Sequence, residues 1–433
     1  MRNYFFILFS IVTLTLPAQE KQDLSLEDAI NTALENNYGI MTIQKDQELA
    51  ELENSWGNAG ALPNIRFVGS GNYSENFDNE SGYTSENLSA TVEMQQTLFR
   101  GFGVRIQKNK LEALEKLSEG NVSLVLENTI YDVILSYYNI LLTREQVDIA
   151  RSNMNLSKDR YHRARERKEL GNAKTYEVLQ AKNAFFEDSS EYISAQSSYN
   201  NTVRELNYLM AAPMDQSYRF TSEFEADTAN FSRSVLTDKM LENNKTLRNQ
   251  YINLELAQHD VKSAKSSYYP SLSLNASGGY SSSETNYAAS EQAFDRNPDG
   301  YHASVGVSLS YALFDGNQRK RALEAAKIET QISDIEQEQM VRDLKNQLAQ
   351  EYELYEVRKQ LLSVEKENLE TARLNLDISR EKYQSGSISS FDFRDVQQTH
   401  QSAAYRFQQA VFDVIQSYHT LLRLTGGILE EYE

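Results

Sequence analysis

The longest part of this chain without glycine or proline is residues 317–385. A helix of that length would extend over roughly 100 Å, because each residue adds about 1.5 Å. Such a rod is longer than a compact globular domain. Its apolar residues recur at every seventh position, a period that imposes a left-handed supercoil on packed helices, so the sequence predicts a coiled coil. The stripe consists of Val341, Leu348, Tyr355, Leu362, Leu369, Leu376 and Tyr383.

A second stripe with the same period lies in the first half of the chain. Heptad positions beside the stripes are often charged, as at Glu351, Arg358 and Glu365, so the helices would contact water on more than one side. A tube of helices with water inside and outside produces this pattern, whereas a solid bundle requires a wider apolar stripe. The second stripe consists of Leu126, Val133, Ile140, Val147, Met154 and Tyr161.

Short motifs recur in the same order in both halves, which indicates an internal duplication. Two of the four matched pairs share one spacing along the chain, and the other two share a slightly larger one, so the second copy contains an insertion. Each copy would comprise a helix, two strands joined by a polar loop, a very long helix, a glycine and a shorter helix. The pairs are Glu35-Asn36-Asn37 with Glu242-Asn243-Asn244, Leu62-Pro63 with Tyr269-Pro270, Leu98-Phe99-Arg100-Gly101 with Leu313-Phe314-Asp315-Gly316, and Gly171 plus Tyr176-Glu177-Val178 with Gly386 plus Phe391-Asp392-Phe393.

Between the helices the apolar period changes from about 3.6 to 2, which is typical of β-strands. Ile65 and Phe67 alternate with polar residues, and so do Val305 and Val307 in the second copy. The predicted strands are close in length to the roughly 9 to 11 residues that a tilted strand needs to cross an outer membrane. A soluble hairpin with one face on a core is the alternative. The hairpins span about 63–99 and 270–314, with polar loops at 74–86 and 281–300.

Four strands cannot close a barrel, and open sheet edges are not tolerated in hydrocarbon. The chain must therefore oligomerise if its strands lie in a membrane. Two copies would give a barrel of about 8 strands, whose interior is filled by side chains. Three copies would give a barrel of about 12 strands, which leaves a lumen. The polar strand face, rich in Ser and Thr, favours the trimer because it suits a water-filled lumen.

The N-terminal residues, 1–19, have the pattern of a secretory signal peptide. Arg2 precedes an apolar run that is too short to span a bilayer, and Ala18 lies near a potential cleavage site. A membrane-anchoring helix is the alternative. The 433-residue chain contains no Cys, which excludes disulfides, thiolate metal sites and Cys nucleophiles. Its formal net charge of −19 argues against a broad nucleic-acid interface.

Other groups of polar residues predict no chemistry. The five histidines show no paired metal-ligand spacing, and no nucleophile, base and orienting group stand at recognisable spacing, so neither a cofactor nor an enzyme is predicted. A run of basic residues is interpreted as a solvated helix face, with a role in meeting a partner protein as the alternative. The run consists of Arg160, Arg163, Arg165, Arg167 and Lys168.

The Asn-Asn helix starts, the prolines before the strands, the Leu-Phe-x-Gly strand exits and the glycines followed by an acid resemble the outer membrane efflux protein family, the TolC-like channels. The resemblance covers nearly all of the mature chain. It implies an α+β membrane protein, in which a trimer forms a 12-stranded outer membrane β-barrel continuous with a long periplasmic α-helical coiled-coil barrel. The parts would be a signal peptide (1–19), a first repeat (20–212), a linker or equatorial belt (213–234), a second repeat (235–427) and a C-terminal tail (428–433).

The resemblance also implies a function, that of the exit duct of a tripartite efflux or type I secretion system. The partners would be two further copies of the chain, a periplasmic adaptor protein, an inner-membrane efflux pump or ABC transporter, and outer membrane lipid, but no nucleic acid. An exported structural or adhesive coiled-coil protein, or a periplasmic adaptor, is the alternative. Neither alternative requires two pairs of amphipathic strands. The cargo and the class of pump stay open.

Site residues follow from the resemblance position by position. Asp392 and Asp395, which lie at i and i+3 on one helix face, would form the pore constriction. Tyr383 and Glu177 would make closed-state contacts between neighbouring coils. The family has an Arg two residues after the second glycine, and this chain has Ile388 there, so either the closed state is weaker or the nearby basic run substitutes. The tips that dock the adaptor would be Leu170, Gly171, Asn172, Ser385, Gly386 and Ser387.

Overall fold

The computed structural model describes residues 22–77, 82–287 and 299–432. The predicted signal peptide, residues 1–19, lies outside these ranges, as do parts of both predicted strand-connecting loops. The first elements are β1 (Gln22–Leu24), α1 (Leu26–Asn36), α2 (Tyr38–Glu53), β2 (Asn64–Asn76), β3 (Tyr83–Arg100), α3 (Gly103–Glu169), α4 (Thr175–Leu209) and β4 (Tyr218–Phe220). They are followed by α5 (Arg233–Asn243), α6 (Lys245–Ser266), β5 (Ser271–Tyr287), β6 (Gly300–Ser310), α7 (Gln318–Gln384), α8 (Ser390–Leu424) and α9 (Ile428–Tyr432).

The long helices of the two halves, and the helices that follow them, match in length. Helices α3 and α7 each contain 67 residues, and α4 and α8, which follow them, each contain 35. The prediction of one unbroken helix over 317–385 is therefore confirmed by α7. Each short helix packs on the long helix before it, and α3 also packs on α8, so the four helices form a layer in the order α4, α3, α8, α7.

Four strands form one antiparallel sheet in the order β2-β3-β5-β6. The β3–β5 pairing joins the two predicted hairpins edge to edge, and β2 and β6 lie at the two edges. The predicted alternation is observed. Ile65 pairs with Met94 and Leu272 with Leu309 on the apolar face.

The predicted strand lengths were partly wrong. Strands β2, β3, β5 and β6 contain 13, 18, 17 and 11 residues, and all four extend into the segments predicted as polar loops, 74–86 and 281–300, β6 by its first residue alone. Polar residues continue the cross-strand pairing there, as far as Asn76 opposite Tyr83. At the other end β6 stops at Ser310, opposite the first residue of β5, and the segment to residue 314 follows the strand.

The main apolar core, here called the central core, surrounds the middle of α3 and α7. Its side chains are non-polar and branched or aromatic, and full burial of each such side chain stabilises the fold by about 1.5–3 kcal/mol. It forms around the parallel β1–β4 pair on one side and around α5 on the other. Its largest buried members are Ile30, Ile130, Ile134, Tyr137, Ile140, Leu141, Leu206, Met210, Met240, Leu247 and Tyr355.

The segment between the two halves crosses α7 beside this core. The hydroxyl of Tyr355 donates a hydrogen bond to the Ala229 carbonyl at 2.7 Å, and that of Tyr352 donates to the Phe231 carbonyl at 3.2 Å. The connecting segment is thus attached to the long helix through its backbone carbonyls, and the Phe231 ring also packs on Tyr355. No helix in the described part of the chain is both long enough and apolar enough to span a bilayer.

Candidate channel wall and mouth

The two faces of the sheet differ in chemistry. On one face, hydroxyl and amide side chains bond across strands: Ser70 to Ser89 at 2.7 Å and Ser277 to Ser304 at 2.8 Å. The other face carries large apolar side chains without cover, and Val305 is 78% exposed. A sheet of this kind can separate water on one side from hydrocarbon on the other.

Within residues 22–77, 82–287 and 299–432, each flank of the protomer is a strand and a helix that pack on the rest of the chain from one side and are unpartnered on the other. Strands β2 and β6 have one neighbour each in the sheet, and α4 and α7 lie at the ends of the helix layer. Each of these two helices has an exposed apolar stripe at steps of three and four residues, as expected of a coiled-coil seam. On α4 the stripe includes Tyr176, Leu179, Phe186 and Ile193, and on α7 it includes Leu354, Val357, Leu361, Val364, Leu374 and Ile378.

The helix hairpins turn at Gly171 and Gly386, where φ is +77° and +76°. This left-handed geometry strains a residue with a side chain, and glycine adopts it freely. The N–H groups of Asn172 and Ser387 donate to carbonyls about one turn back at 2.7 and 2.8 Å, as in a Schellman motif. A β-carbon at either glycine would contact no atom within 4 Å. All six residues predicted to dock the adaptor are exposed.

Asp392 and Asp395, the residues predicted to form the constriction, are exposed one turn apart at the start of α8. The Asp392 carboxylate accepts from the Ser389 N–H at 3.1 Å and from its hydroxyl at 2.7 Å. The Asp392 N–H donates to the same hydroxyl at 3.1 Å, which completes a capping box. Asp392 therefore also defines where α8 begins. Glu177 lies at the same position of α4, where it accepts the Lys174 N–H at 3.5 Å.

Tyr383, one of the two residues predicted to make closed-state contacts, is buried near the tip of the second hairpin. Its ring stacks on Phe393 with centroids 5.0 Å apart and planes 5° apart. Ile388, which occupies the position of the family's Arg, packs in the same small apolar cluster. Within the described part of this protomer, neither Tyr383 nor Glu177 forms a hydrogen bond to the other hairpin.

The basic run is not uniformly solvated, contrary to the interpretation above. Four of its members are exposed, but Arg160 is 3% exposed and faces α8. The signal was present in the sequence, because Asn153, Ser157, Arg160 and Ala164 follow the steps of four and three that mark a helix contact. The guanidinium of Arg160 donates to the Ser390 carbonyl at 3.4 Å. Burial lowers the pKa of Arg160 to about 10, so it is still a cation at neutral pH.

Sequence reasoning missed one ion pair between the hairpins. Arg394 of α8 donates two hydrogen bonds, each 2.7 Å, to the two carboxylate oxygens of Asp188 on α4. Asp188 is 2% exposed, and the exposed fraction of the Arg394 side chain is 14%. The partners are separated by 206 positions, and no short motif connects them.

A second buried charge lies beside the central core. Glu127 of α3 is 2% exposed, and one of its carboxylate oxygens has no hydrogen-bond partner. Desolvation raises the pKa of Glu127 to about 7, against the opposing effect of Lys245 and Arg423. Across residues 22–77, 82–287 and 299–432, no cluster of three or more His, Cys, Asp or Glu side chains is arranged to hold a metal ion.

A sheet with one polar and one apolar face, joined to helices too long for a globular domain, defines the subunit of an outer membrane channel. Its helices extend into the periplasm. The chain matches the family described as outer membrane efflux protein over residues 29–212 and 236–427, and it belongs to that family. Proteins of this family are transport conduits rather than enzymes.

Individual relatives are distant but are matched over most of their length. The alkaline protease secretion protein AprF of Pseudomonas aeruginosa is 24% identical over 446 aligned positions, which cover 100% of this chain and 90% of AprF. The cation efflux system protein CusC of Escherichia coli O157:H7 is 21% identical over 407 positions, covering 90% of this chain and 83% of CusC. A crystal structure of CusC superposes with a TM-score of 0.76 at 17% identity, covering 93% of this chain and 92% of that one. The likeness to that structure shows a shared fold.

Proposed function

We propose that three copies of this chain form a 12-stranded barrel continuous with a tube of helices, and that this trimer is the exit duct for an inner-membrane pump and its periplasmic adaptor. The observation that carries the proposal is the pair of unpartnered flanks. Strand edges cannot remain open in hydrocarbon, and three copies close the sheet around a lumen wide enough for water. The same threefold arrangement of copies places the α4 stripe of one copy against the α7 stripe of the next.

The duct conducts passively, because the polar sheet face offers hydroxyl and amide groups together with one ion pair, Arg66 with Glu93, whose charges already satisfy each other. The relatives are named for protease secretion and for cation efflux, and a conduit of one design serves both kinds of system. The proposal therefore extends to efflux and type I secretion and assigns no cargo. We also propose that the equal lengths of α3 and α7, and of α4 and α8, reflect the internal duplication.

Purification from outer membranes tests the assembly. The protein should require detergent and migrate as a trimer, and Leu361→Glu or Leu374→Glu on the α7 stripe should yield monomers. Lys366→Glu, an exposed change on the same helix, is the matched control and should leave trimers intact. A chain released by salt without detergent would contradict the proposal and would favour the adhesive or adaptor alternative.

We propose that Asp392 and Asp395 line the narrowest part of the mouth, where three copies would place six carboxylates. Such a ring attracts cations. Current through single trimers in planar bilayers should be blocked by a trivalent cation added from the periplasmic side. The Asp392→Asn/Asp395→Asn variant, which keeps the shape of both side chains, should lose the block, while Glu370→Gln, an exposed change on α7, is the control and should keep it. Equal block in the double variant and the native channel would refute the ring.

We further propose that the tips dock the adaptor and that Tyr383 and Glu177 take part in the closed state through contacts between copies. Gly171→Trp or Gly386→Trp should abolish export while trimers persist in the outer membrane, because both tips are open to solvent. Retained export in either variant would reject this docking site. Tyr383→Phe preserves the stack on Phe393 and removes only the hydroxyl. Unchanged single-channel conductance in that variant would show that Tyr383 acts through packing alone.

A further inference from the structure

A buried layer of charge joins the two hairpins close to their tips. It contains Arg160 of α3, Asp188 of α4 and Arg394 of α8. Arg394 and Asp188 bond through two parallel hydrogen bonds of 2.7 Å, and Arg160 reaches the Ser390 carbonyl at 3.4 Å. Glu187, whose carboxylate lies 3.7 Å from Arg394, is largely exposed. The Asp188 carboxylate thus pairs with Arg394, and the second buried cation, Arg160, contacts the backbone of the same turn of α8.

A layer of this kind fixes geometry more than it adds stability. Removing charges from water is costly, and their attraction offsets that cost only when the groups hold one arrangement. A bidentate pair between guanidinium and carboxylate fixes the separation of its partners and the plane in which they lie. Apolar side chains of similar volume would pack in this space without specifying either.

The layer acts on one turn of the chain. Ser390 and Arg394 both belong to the beginning of α8, and Arg394 lies in sequence between Asp392 and Asp395. Between them, Phe393 stacks on Tyr383 of α7. The turn that carries both acids is therefore attached to α3, α4 and α7 by three separate contacts.

We propose that Asp188 and Arg394 are positioning residues, which with Arg160 hold the acid-bearing turn of α8 against the first hairpin and so set the width of the closed mouth. The inference rests on the proposed role of Asp392 and Asp395 as the constriction. When the layer is intact, the turn cannot move without leaving a buried charge unpaired. When the ion pair is broken, the turn keeps the Arg160 contact and the small apolar cluster around Phe393 but loses its bond to α4, and the mouth widens.

The test is the single-trimer conductance of purified protein in planar bilayers, together with block by a trivalent cation. Asp188→Asn and Arg394→Gln should each raise the conductance several-fold and weaken the block. The double variant should exceed neither single variant by much, because the two residues act as one pair. Arg394→Lys, which keeps the positive charge but cannot form two parallel hydrogen bonds to Asp188, should give an intermediate conductance.

Arg406 and Glu365 supply the matched control. They form a more exposed ion pair at 3.2 Å between the two helices of the second hairpin, away from the acid-bearing turn. Arg406→Gln should leave the conductance unchanged. The exchanged pair, Asp188→Arg with Arg394→Asp, should restore a conductance close to that of the native channel.

Native conductance in Asp188→Asn and Arg394→Gln, even with a lower melting temperature, would overturn the inference and assign the layer a purely structural role. If Asp188→Asn does not yield trimers, Arg394→Lys decides, and native conductance in that variant overturns the inference. Failure of the constriction itself is distinguishable, because it would appear as equal block in the native channel and in Asp392→Asn/Asp395→Asn.

Discussion

The central core and the tip region, residues 153–191 and 376–405, join helices by different means. Around the central core, two clusters of fully buried apolar side chains surround α3 and α7. In the tip region only one small cluster exists, formed by Leu376, Tyr383 and Phe393, and the contacts between hairpins are mainly polar. Asn153 bonds to Gln401 at 2.8 Å, and Tyr405 bonds to Glu191 at 3.0 Å.

The difference teaches which part of the molecule can change shape. Apolar burial is non-directional and accumulates with area, so the central core is costly to open anywhere. Hydrogen bonds and ion pairs exchange with water at a small net cost when both partners are rehydrated together. The tip region can therefore change shape while the middle of the same helices stays packed. Glu127 breaks the pattern, because it is a charge buried beside the apolar core.

The largest effect is expected from Tyr137→Ala in the central core. The Tyr137 hydroxyl donates to the Leu24 carbonyl at 2.8 Å and accepts from the Ser222 N–H at 3.2 Å, and its ring contacts Phe220. Loss of a buried ring costs about 3–5 kcal/mol. The melting temperature of the helical circular dichroism signal should fall sharply, and Tyr137→Phe should lower it less. An equal fall in Tyr383→Ala would remove the distinction between the two regions.

The second effect compares two glycines with positive φ. A β-carbon at Gly426, where α8 ends beside the central core, would lie 2.7 Å from the Asn243 carbonyl oxygen, whereas one at Gly386 would contact nothing. Backbone strain costs roughly 1–2 kcal/mol at both positions, and the clash adds about as much again at Gly426. Gly426→Ala should therefore melt at a lower temperature than Gly386→Ala. Identical melting curves would show that the chain near Asn243 yields without cost.

The third effect is the pH dependence caused by Glu127. Its pKa in the folded protein, about 7, exceeds the ordinary value of 4.5, so the folded state binds the proton more tightly than the unfolded state. Stability is therefore lost as pH rises from about 4.5 to 7 and stays reduced above it. Glu127→Gln should gain roughly 1–3 kcal/mol at pH 8 and almost nothing near pH 4. A gain of the same size at both values would contradict this origin.

The smallest effect is expected from Arg165→Gln, in the exposed part of the basic run. Arg165 pairs with Glu169 at 3.2 Å, and both side chains are more than half exposed. An i, i+4 pair of this kind contributes about 0.5 kcal/mol or less. The melting temperature of the Arg165→Gln variant should match that of the native protein at moderate salt. A clear fall would mean that the exposed run is bound by another copy or by a partner.

Periodicity accounts for what could be predicted from the sequence. The stretch without glycine or proline, 317–385, predicted α7 almost to the residue, and the change to a period of two located all four strands. Glycine spacing located the hairpin tips. The strand ends were less accurate because polar residues continue cross-strand pairing without an apolar face, and pairing is a property of two segments rather than one.

The charged layer at the tips could not be predicted for a related physical reason. A lone Arg in a basic run and a lone Asp in a helix resemble a solvated surface, and only the packing of three helices shows that they are buried. The heptad steps that lead to Arg160 were visible, but nothing in the chain indicates that Asp188 would meet Arg394. Long-range ion pairs carry no local pattern.

The length of α3 has a mechanical consequence. This helix continues unbroken past the end of α4 and packs on α6 and α2 along its other half, and α7 likewise contacts both α8 and α6. Each place where one short helix ends and the next begins is therefore covered by a continuous long helix. A bending load on the wall meets an intact ladder of backbone hydrogen bonds at every such place. A torque applied at one end of a long helix can therefore be transmitted to its other end without passing through a break in the backbone hydrogen bonds.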